Sequence, residues 1–303
     1  IQLANERVGI PERAEQQNSY SLNVSVFNIE HARLAAHNGA TEIVFDPFLR
    51  HPPLPLARIR ALQEELTDLG VTLRLRTPTI VRPEERRDLN KWLDLGLPLL
   101  SGHLGLVAEQ SALGRDVTAD YATNVFNPHS AAFLFELGAK RIVASVELTL
   151  GELADLVAPF GGRAFDVLVY GRTEGMTIEH CVLSAAFDRV PTTCRDLCVQ
   201  KHINVSLTDP AGYTFPVATD SACRNRLLHS RPIDGAEFLP ALWRHHVRGY
   251  QIVFNVPGDP VAEVTSHYRD ALSALASGGD VDFTRTRRLL NGEFTRGHFA
   301  RAV

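Results

Sequence analysis

The chain has 303 residues, of which 45% are hydrophobic and 22% are charged, and its formal net charge at pH 7 is −4. This composition supports one large hydrophobic core and argues against a domain that binds nucleic acid by electrostatics alone. No apolar run is long enough for a membrane span. The first residues lack the pattern of a secretion signal, so we expect a cytoplasmic protein.

Short β-branched runs alternate with segments of helical periodicity along the chain. The pattern predicts strands at 22–27, 42–45, 71–75, 97–100, 121–125, 141–145, 164–170 and 250–256. It predicts helices at 29–37, 55–69, 83–95, 131–137, 149–157, 236–246 and 260–276. Strands that are separated by helices pair in parallel, because the chain must cross over between them.

Eight such units predict an α/β fold, a (β/α)8 TIM-barrel-like core that forms one domain over residues 1–303. An open, doubly wound sheet is the alternative. The helical pattern is interrupted at 171–231, which we interpret as an inserted subdomain after the seventh strand. Within it, strand-like runs at 205–207 and 214–218 flank a turn at 209–212, which predicts a β-hairpin. Loops of this length are usually functional, and they gather at the C-terminal face of a barrel.

All four cysteines of the chain, Cys181, Cys194, Cys198 and Cys223, lie in this interruption. Their spacing is C-x12-C-x3-C-x24-C, and Cys194 and Cys198 would share one face of a helical turn. Two disulfides would suit a secreted protein. Zinc accepts four thiolates, and so does an iron–sulfur cluster. The spacing alone leaves these alternatives open, together with buried thiols that share no role.

Around these cysteines, and along most of the chain, the sequence resembles the collagenase-like peptidase family U32. The matching blocks occur in order at 120–127 (DYATNVFN), 136–141 (ELGAKR), 145–150 (SVELTL), 169–172 (VYGR), 176–181 (MTIEHC), 207–209 (LTD), 215–217 (FPV), 223–230 (CRNRLLHS) and 294–299 (FTRGHF). Many relatives carry another cysteine shortly before the one that matches Cys181, where this chain has residues 174–176 (EGM).

The resemblance implies a barrel-like core with a 4Fe–4S cluster on Cys181, Cys194, Cys198 and Cys223. It also implies an oxygen-independent hydroxylase, although the family is named for peptidases. The implied substrates are a pyrimidine of RNA or a ring carbon of a ubiquinone precursor, and the implied oxygen donor is prephenate-like. A second subunit of the family is a further expected partner.

A donor with two carboxylates requires arginine forks, and Arg172, Arg224 and Arg226 are the candidates. The alternative is that these arginines neutralise thiolates or pair with Asp209 and Asp220. We therefore predict Arg172 to be catalytic and the other two to bind substrate.

Further candidates follow predicted strands, where barrel enzymes place their chemistry. Asn124 and Asn127 are predicted to bind substrate. Glu147 is a candidate general acid or base, or a residue that holds a loop. His180 is next to Cys181 and could transfer protons or hydrogen-bond a cluster sulfur.

Two other functions compete with the hydroxylase. A peptidase needs an activated nucleophile or a metal-bound water, and the sequence contains neither Gly-x-Ser-x-Gly nor His-Glu-x-x-His. A non-catalytic protein could use the cluster as a redox sensor, or the barrel as a scaffold for another subunit.

Overall fold

The structure is a computed structural model, and it describes residues 19–162, 164–190, 193–194 and 196–301. The first half of the chain alternates strands and helices. In order these are β1 (Ser21–Val26), α1 (Ile29–His37), β2 (Glu42–Phe45), α2 (Leu56–Asp68), β3 (Thr72–Arg76), α3 (Arg86–Leu93), β4 (Leu99–Ser101), α4 (Leu104–Ala112), β5 (Val117–Ala119), α5 (Pro128–Glu136), β6 (Arg141–Val143), α6 (Leu150–Val157) and β7 (Phe165–Gly171).

The second half begins with short strands and returns to the alternating pattern near the end. Its elements are β8 (Glu174–Ile178), α7 (Val182–Ala186), α8 (Leu197–Gln200), β9 (Val205–Thr208), β10 (Thr214–Thr219), β11 (Asn225–Leu228), β12 (Ile233–Asp234), α9 (Leu239–Arg244), β13 (Gly249–Val253), α10 (Val261–Ala276) and α11 (Thr284–Leu289).

Eight parallel strands close into a barrel. Strands β1 to β7 pair successively, and β13 completes the circle by pairing in parallel with both β7 and β1. The short strand β12 is added antiparallel to β7. The prediction of a (β/α)8 TIM-barrel fold is therefore confirmed, and the open sheet is excluded.

The two faces of each barrel strand separate the core into two parts. On β2, Ile43 and Phe45 belong to the large core between the strands and the surrounding helices. Val44, between them in sequence, instead clusters with Leu100 and Val143 from β4 and β6. Because successive side chains of a strand point to opposite faces, this second cluster fills the barrel interior.

Below that apolar layer, charged residues fill the N-terminal end of the barrel. Arg74 contacts Glu42 and Asp116, each at 2.9 Å, while Arg141 contacts Glu42 at 2.8 Å and Asp166 at 3.2 Å. Glu42 and Arg141 begin β2 and β6, on opposite sides of the barrel, so their contact crosses its interior. We call these five residues the basal network.

Helix α1 illustrates how local sequence sets element boundaries. The Asn28 side chain accepts a hydrogen bond from the His31 amide at 2.8 Å and caps the first turn. After the helix, Gly39 adopts φ +105°, and an added Cβ would lie 2.3 Å from the Cδ atom of Arg269. The predicted helix at 29–37 is therefore confirmed, together with its Asn-Gly stop.

The predicted fifth strand, at 121–125, is wrong. Residues Tyr121–Thr123 form a 3-10 turn, Asn124 adopts a left-handed conformation with φ 59°, and the strand is β5 instead. The Asp120 side chain accepts from the Tyr121 amide at 2.8 Å, which favours the turn after the strand. Helix α4 was not predicted, because its sequence LGLVAEQSA lacks a clear polar face.

The interruption forms a four-stranded antiparallel sheet in the order β8-β11-β10-β9. The predicted hairpin is present as β9 and β10. Strands β8 and β11 were missed. They pair with each other although they lie far apart in sequence, and β11 also pairs with the preceding strand β10. The cysteine segment carries α7 and α8, which are too short to produce a helical period.

No helix within residues 19–162, 164–190, 193–194 and 196–301 has both the length and the apolar character needed to cross a membrane.

Candidate functional site

The four cysteines line a single cavity of about 200 Å³. Cys181 directly precedes α7, Cys198 lies in α8, and Cys223 follows β10 with a left-handed φ of 61°. All four are free thiols, so the two-disulfide alternative is wrong for this structure. Separate segments of the insertion therefore place their cysteines around one shared cavity.

The thiols also affect one another's pKa values. Burial raises the pKa of Cys198 and of Cys223, and the proximity of the other cysteines raises both pKa values further. Clustered thiols of this kind favour the neutral form until a cation stabilises the thiolates. A donor set made only of sulfur suits zinc or iron.

Among the residues that the structure describes, which include all four cysteines, no three His, Cys, Asp or Glu side chains are close enough to hold one metal ion. The cysteines therefore share a cavity without forming a compact site for a single ion.

A second network of charges lies at the opposite end of the barrel from the basal network. Arg76 ends β3 and contacts Asp46 at 3.2 Å, Asp120 at 2.8 Å and Glu174 at 2.5 Å. Arg226 contacts the same Asp46 at 2.6 Å and Glu174 at 3.2 Å. We call these five residues the mouth network. It joins the barrel strands to β8 and β11 of the inserted sheet.

Charge pairing decides the ionisation of this network. Burial alone would raise the pKa of Glu174, but Arg76 and Arg226 outweigh it and hold that pKa at about 2. The pKa of Asp120 is raised, because burial dominates there despite its contact with Arg76. Glu174 is thus a fixed negative charge between two buried arginines.

A larger groove, of about 710 Å³, adjoins the cysteine cavity, and His51, Asp220 and Ser221 line both. Its apolar wall includes the rings of Phe48 and Trp92, whose centroids are 5.3 Å apart. The groove is also lined by Leu54, Glu84, Glu85, Asp88, Lys91 and Arg224. This apolar groove is open beside the thiols.

His51 is the barrel residue at the boundary between the groove and the cysteine cavity. Its Nδ1 atom is 3.1 Å from the Ser221 hydroxyl, and its Nε2 atom is 3.3 Å from an Asp196 carboxylate oxygen. Asp196 lies between Cys194 and Cys198 in sequence, and Ser221 precedes Cys223. One imidazole therefore links two cysteine-bearing segments to the barrel.

The three predicted arginines have protein partners. Arg224 contacts Asp220 at 2.9 Å and Glu85 at 3.1 Å. Arg226 belongs to the mouth network. Arg172 donates to the carbonyl oxygens of His229, at 2.9 Å, and Ser230, but its buried Nε atom has no hydrogen-bond partner among the described residues. Burial lowers the pKa of Arg172.

The other predicted residues do not line the cysteine cavity. Asn127 caps α5 by accepting from the His129 and Ser130 amides, and the Asn124 side-chain oxygen is 3.3 Å from the Ser145 hydroxyl. His180 is exposed and is not among the residues that line the cysteine cavity.

Glu147 is exposed and lines a third cavity, of about 340 Å³, at the barrel mouth. Glu174, His229, His298 and Arg301 line the same cavity. The closing FTRGHF block therefore reaches the C-terminal face of the barrel, close to one predicted catalytic residue.

Sequence reasoning missed the roles of His51, Arg76 and Glu174. A signal for Arg76 exists, because the segment TLRLR of β3 alternates leucine with arginine, and its last four residues are buried. Such a pattern indicates charges inside a barrel. His51 and Glu174 carry no comparable local signal.

Several solved structures are similar to this chain at low identity. A U32 peptidase has 14% identity and a TM-score of 0.47, over 82% of this chain and 98% of that one. Thiamine phosphate pyrophosphorylase from Pyrococcus furiosus has 12% identity and a TM-score of 0.43, over 87% and 96%. Dihydropteroate synthase from Thermus thermophilus has 16% identity and a TM-score of 0.42, over 88% of this chain and 97% of that one. These similarities are too distant to indicate an activity.

No curated protein has a sequence that matches this chain. The sequence pattern of peptidase family U32, in contrast, matches residues 103–302, about two thirds of the chain, including all four cysteines. The resemblance found in the sequence blocks is confirmed, and the chain belongs to peptidase family U32.

Proposed function

We propose that Cys181, Cys194, Cys198 and Cys223 hold a 4Fe–4S cluster and that the protein is an oxygen-independent hydroxylase. The observation that carries this proposal is the shared cavity, where four free thiols from separate segments meet. Bound there, a cluster would supply single electrons to the reaction.

The size of the cysteine cavity supports the proposal of a cluster. Four thiolates around one zinc ion each lie about 2.3 Å from the metal and therefore crowd around a point. In a 4Fe–4S cluster each thiolate binds a different iron, so the four sulfur atoms stand farther apart. A cavity of about 200 Å³ that all four cysteines line has room for the second arrangement.

For the substrate, we propose an apolar aromatic ring of the quinone-precursor class rather than an RNA base. The groove beside the thiols offers the rings of Phe48 and Trp92. Four acidic residues line it, against one lysine and one arginine, and that arginine, Arg224, is already paired with two of the acids. Such a surface repels phosphates.

For the oxygen donor, we propose an anionic carboxylate that Arg172 binds. Arg224 and Arg226 are satisfied by carboxylates of the protein. Arg172 retains a buried Nε–H with no partner among the described residues, and this group can donate to a carboxylate of a prephenate-like ligand. Its guanidinium would orient the donor at the C-terminal face of the barrel.

A peptidase is not favoured, although Ser221, His51 and Asp196 form a series of polar contacts. In working serine hydrolases the serine faces Nε2 and the carboxylate faces Nδ1, and the acid is buried. Here the serine contacts Nδ1 and the carboxylate contacts Nε2, and the Asp196 side chain is 61% exposed.

Anaerobic purification with metal analysis tests the cluster. We expect a brown protein with about four irons per chain and matching acid-labile sulfide. A Cys223→Ala variant should lose most of that iron. Stoichiometric zinc in a colourless protein would overturn the proposal.

Deletion of the gene under anaerobic conditions tests the activity. We expect loss of one ring hydroxylation in a quinone precursor, restored by the wild-type gene. Leu54→Glu should abolish this rescue with its iron content intact, because it places a charge in the apolar groove. Leu113→Glu is the matched control, on a leucine that is 72% exposed and outside the groove.

Two outcomes would redirect the assignment. Loss of an RNA modification, with quinones unchanged, would replace the substrate class. A loaded cluster without any lost hydroxylation would favour the scaffold or redox-partner alternative.

A further inference from the structure

We propose that Asn225 is a positioning residue that holds the Cys181 segment at the cluster, and this inference rests on the proposed cluster. Asn225 is fully buried at the start of β11. Its side-chain oxygen accepts a hydrogen bond from the Val182 amide at 2.6 Å, and its amide nitrogen donates to the Thr219 hydroxyl at 2.8 Å. The side chain therefore bridges strand β10 and helix α7.

The bridge satisfies a requirement that Cys181 itself leaves open. Helix α7 begins at Val182, and Cys181 occupies the capping position without making a side-chain capping bond. Ser, Thr, Asp or Asn at that position would bond the first free amides with its own side chain. Because Asn225 accepts from the helix instead, the Cys181 thiol stays free to bind metal.

Helix α7 depends on such support because it has only five residues. A helix this short has little stability of its own, since nucleation is unfavourable and few hydrogen bonds follow. Its buried residues are Leu183 and Ser184. The orientation of Cys181 therefore depends on how α7 is attached to the sheet beneath it.

Asn225 also couples two ligands to the barrel. It follows Cys223 by two residues and immediately precedes Arg226, whose guanidinium lies in the mouth network. A single backbone segment thus carries the Cys223 ligand, the support for Cys181 and the anchor to Asp46. This arrangement sets the separation between Cys181 and Cys223.

Two substitutions in the holoprotein separate positioning from general stability. Asn225→Ala removes both hydrogen bonds, so we expect iron loss to a chelator to be about five-fold faster. The looser segment admits water, which stabilises the more negative reduced cluster, and the midpoint potential should rise. Asn225→Asp keeps an acceptor for Val182 and should retain iron, but its negative charge should lower the potential.

Asn90→Asp is the matched control, because it adds the same charge at an exposed site on α3 outside the cysteine cavity. We expect it to change neither quantity. A purely structural role of Asn225 would lower the stability of Asn225→Ala without raising its midpoint potential.

The inference is overturned if both Asn225 variants match the wild-type protein in iron release and potential. If Asn225→Ala does not fold, the Asp variant and Thr219→Val, which removes the partner hydroxyl, still test it through the same measurements. A wild-type protein without a cluster would instead overturn the proposed function, so the two failures are distinguishable.

Discussion

The two ends of the barrel carry similar networks of charged residues, but the two networks connect different parts of the molecule. The basal network and the mouth network each combine three carboxylates with two arginines, and both are largely buried. The basal network connects barrel strands and adjoining loop residues with one another. The mouth network connects the barrel with the inserted sheet, through Glu174 and Arg226. The same chemistry therefore closes the barrel at one end and positions the cysteine-bearing insertion at the other.

This difference predicts which part of the protein is destabilised when a charge is removed. Disruption of the basal network must disturb the closure of the whole barrel. Disruption of the mouth network can be absorbed by local opening of the insertion, because the barrel strands keep their own pairing.

The largest effect on global stability is expected at the basal network. Arg74→Ala leaves Glu42 buried with one arginine fewer and removes the ion pair of Asp116 with Arg74. We expect it to lower the free energy of unfolding by about 3–5 kcal/mol in urea denaturation. The iron content of the folded fraction should stay at the wild-type level. A loss of iron larger than the loss of stability would contradict the separation of the two ends.

A smaller global effect and a larger local one are expected at the mouth. Arg226→Ala removes contacts to Asp46 and Glu174, but Arg76 continues to pair with both. We expect a loss of about 1–3 kcal/mol in the same denaturation experiment. Iron retention should fall and protease cleavage within 174–228 should rise, while the barrel resists cleavage. Equal destabilisation by the two arginine substitutions, with full iron in both, would refute the comparison.

Glu174 allows the mouth network to be tested by pH. Its pKa falls from an ordinary 4.5 to about 2 in the folded protein, so the unfolded state binds the proton more tightly. Its stabilising contribution is complete above about pH 4.5 and disappears as the pH falls towards 2.

Glu174→Gln should therefore reduce the pH dependence of apoprotein stability within that window, as measured by thermal unfolding in a pH series. The apoprotein is used because acid also removes metal from thiolates. If the stability of Glu174→Gln depends on pH as steeply as that of the wild-type protein, the arginines do not lower the pKa of Glu174.

The smallest effect is expected for an exposed ion pair on the outer helices. Arg33 contacts Glu65 at 2.8 Å and Glu30 at 3.0 Å, but all three side chains are largely solvated. We expect no measurable change in urea denaturation or iron content for Arg33→Ala, since solvent and salt screen such pairs. A change comparable to that of Arg74→Ala would mean that burial does not explain the difference between the networks.

Much of the barrel was predictable because its signals are local. The apolar runs of β2 and β7, and stop signals such as Asn38-Gly39, depend on neighbours in sequence. The missed helix α4 and the misplaced fifth strand occur where that pattern is weak or where one side chain, Asp120, favours a turn. The clustering of the cysteines in one segment was equally visible.

Residues that act through distant partners were not predictable. Arg226 was chosen as a substrate ligand, but its charge faces Asp46, 180 positions earlier. Asn225 gave no signal, because its role depends on the amide of Val182, 43 positions away. The position of His51 depends on its contacts with Asp196, which follows Cys194, and with Ser221, which precedes Cys223.

The sequence by itself determined the alternation of strands and helices, the family and the residues that can bind metal. Periodicity, capping and composition act over a few residues, so they can be recognised without coordinates. Only the tertiary structure decided that the four thiols share one cavity, that two charge networks fill the ends of the barrel and that an apolar groove adjoins the cysteines. These features arise from contacts between segments far apart in the chain, which form only after the barrel closes and the inserted sheet packs over its mouth.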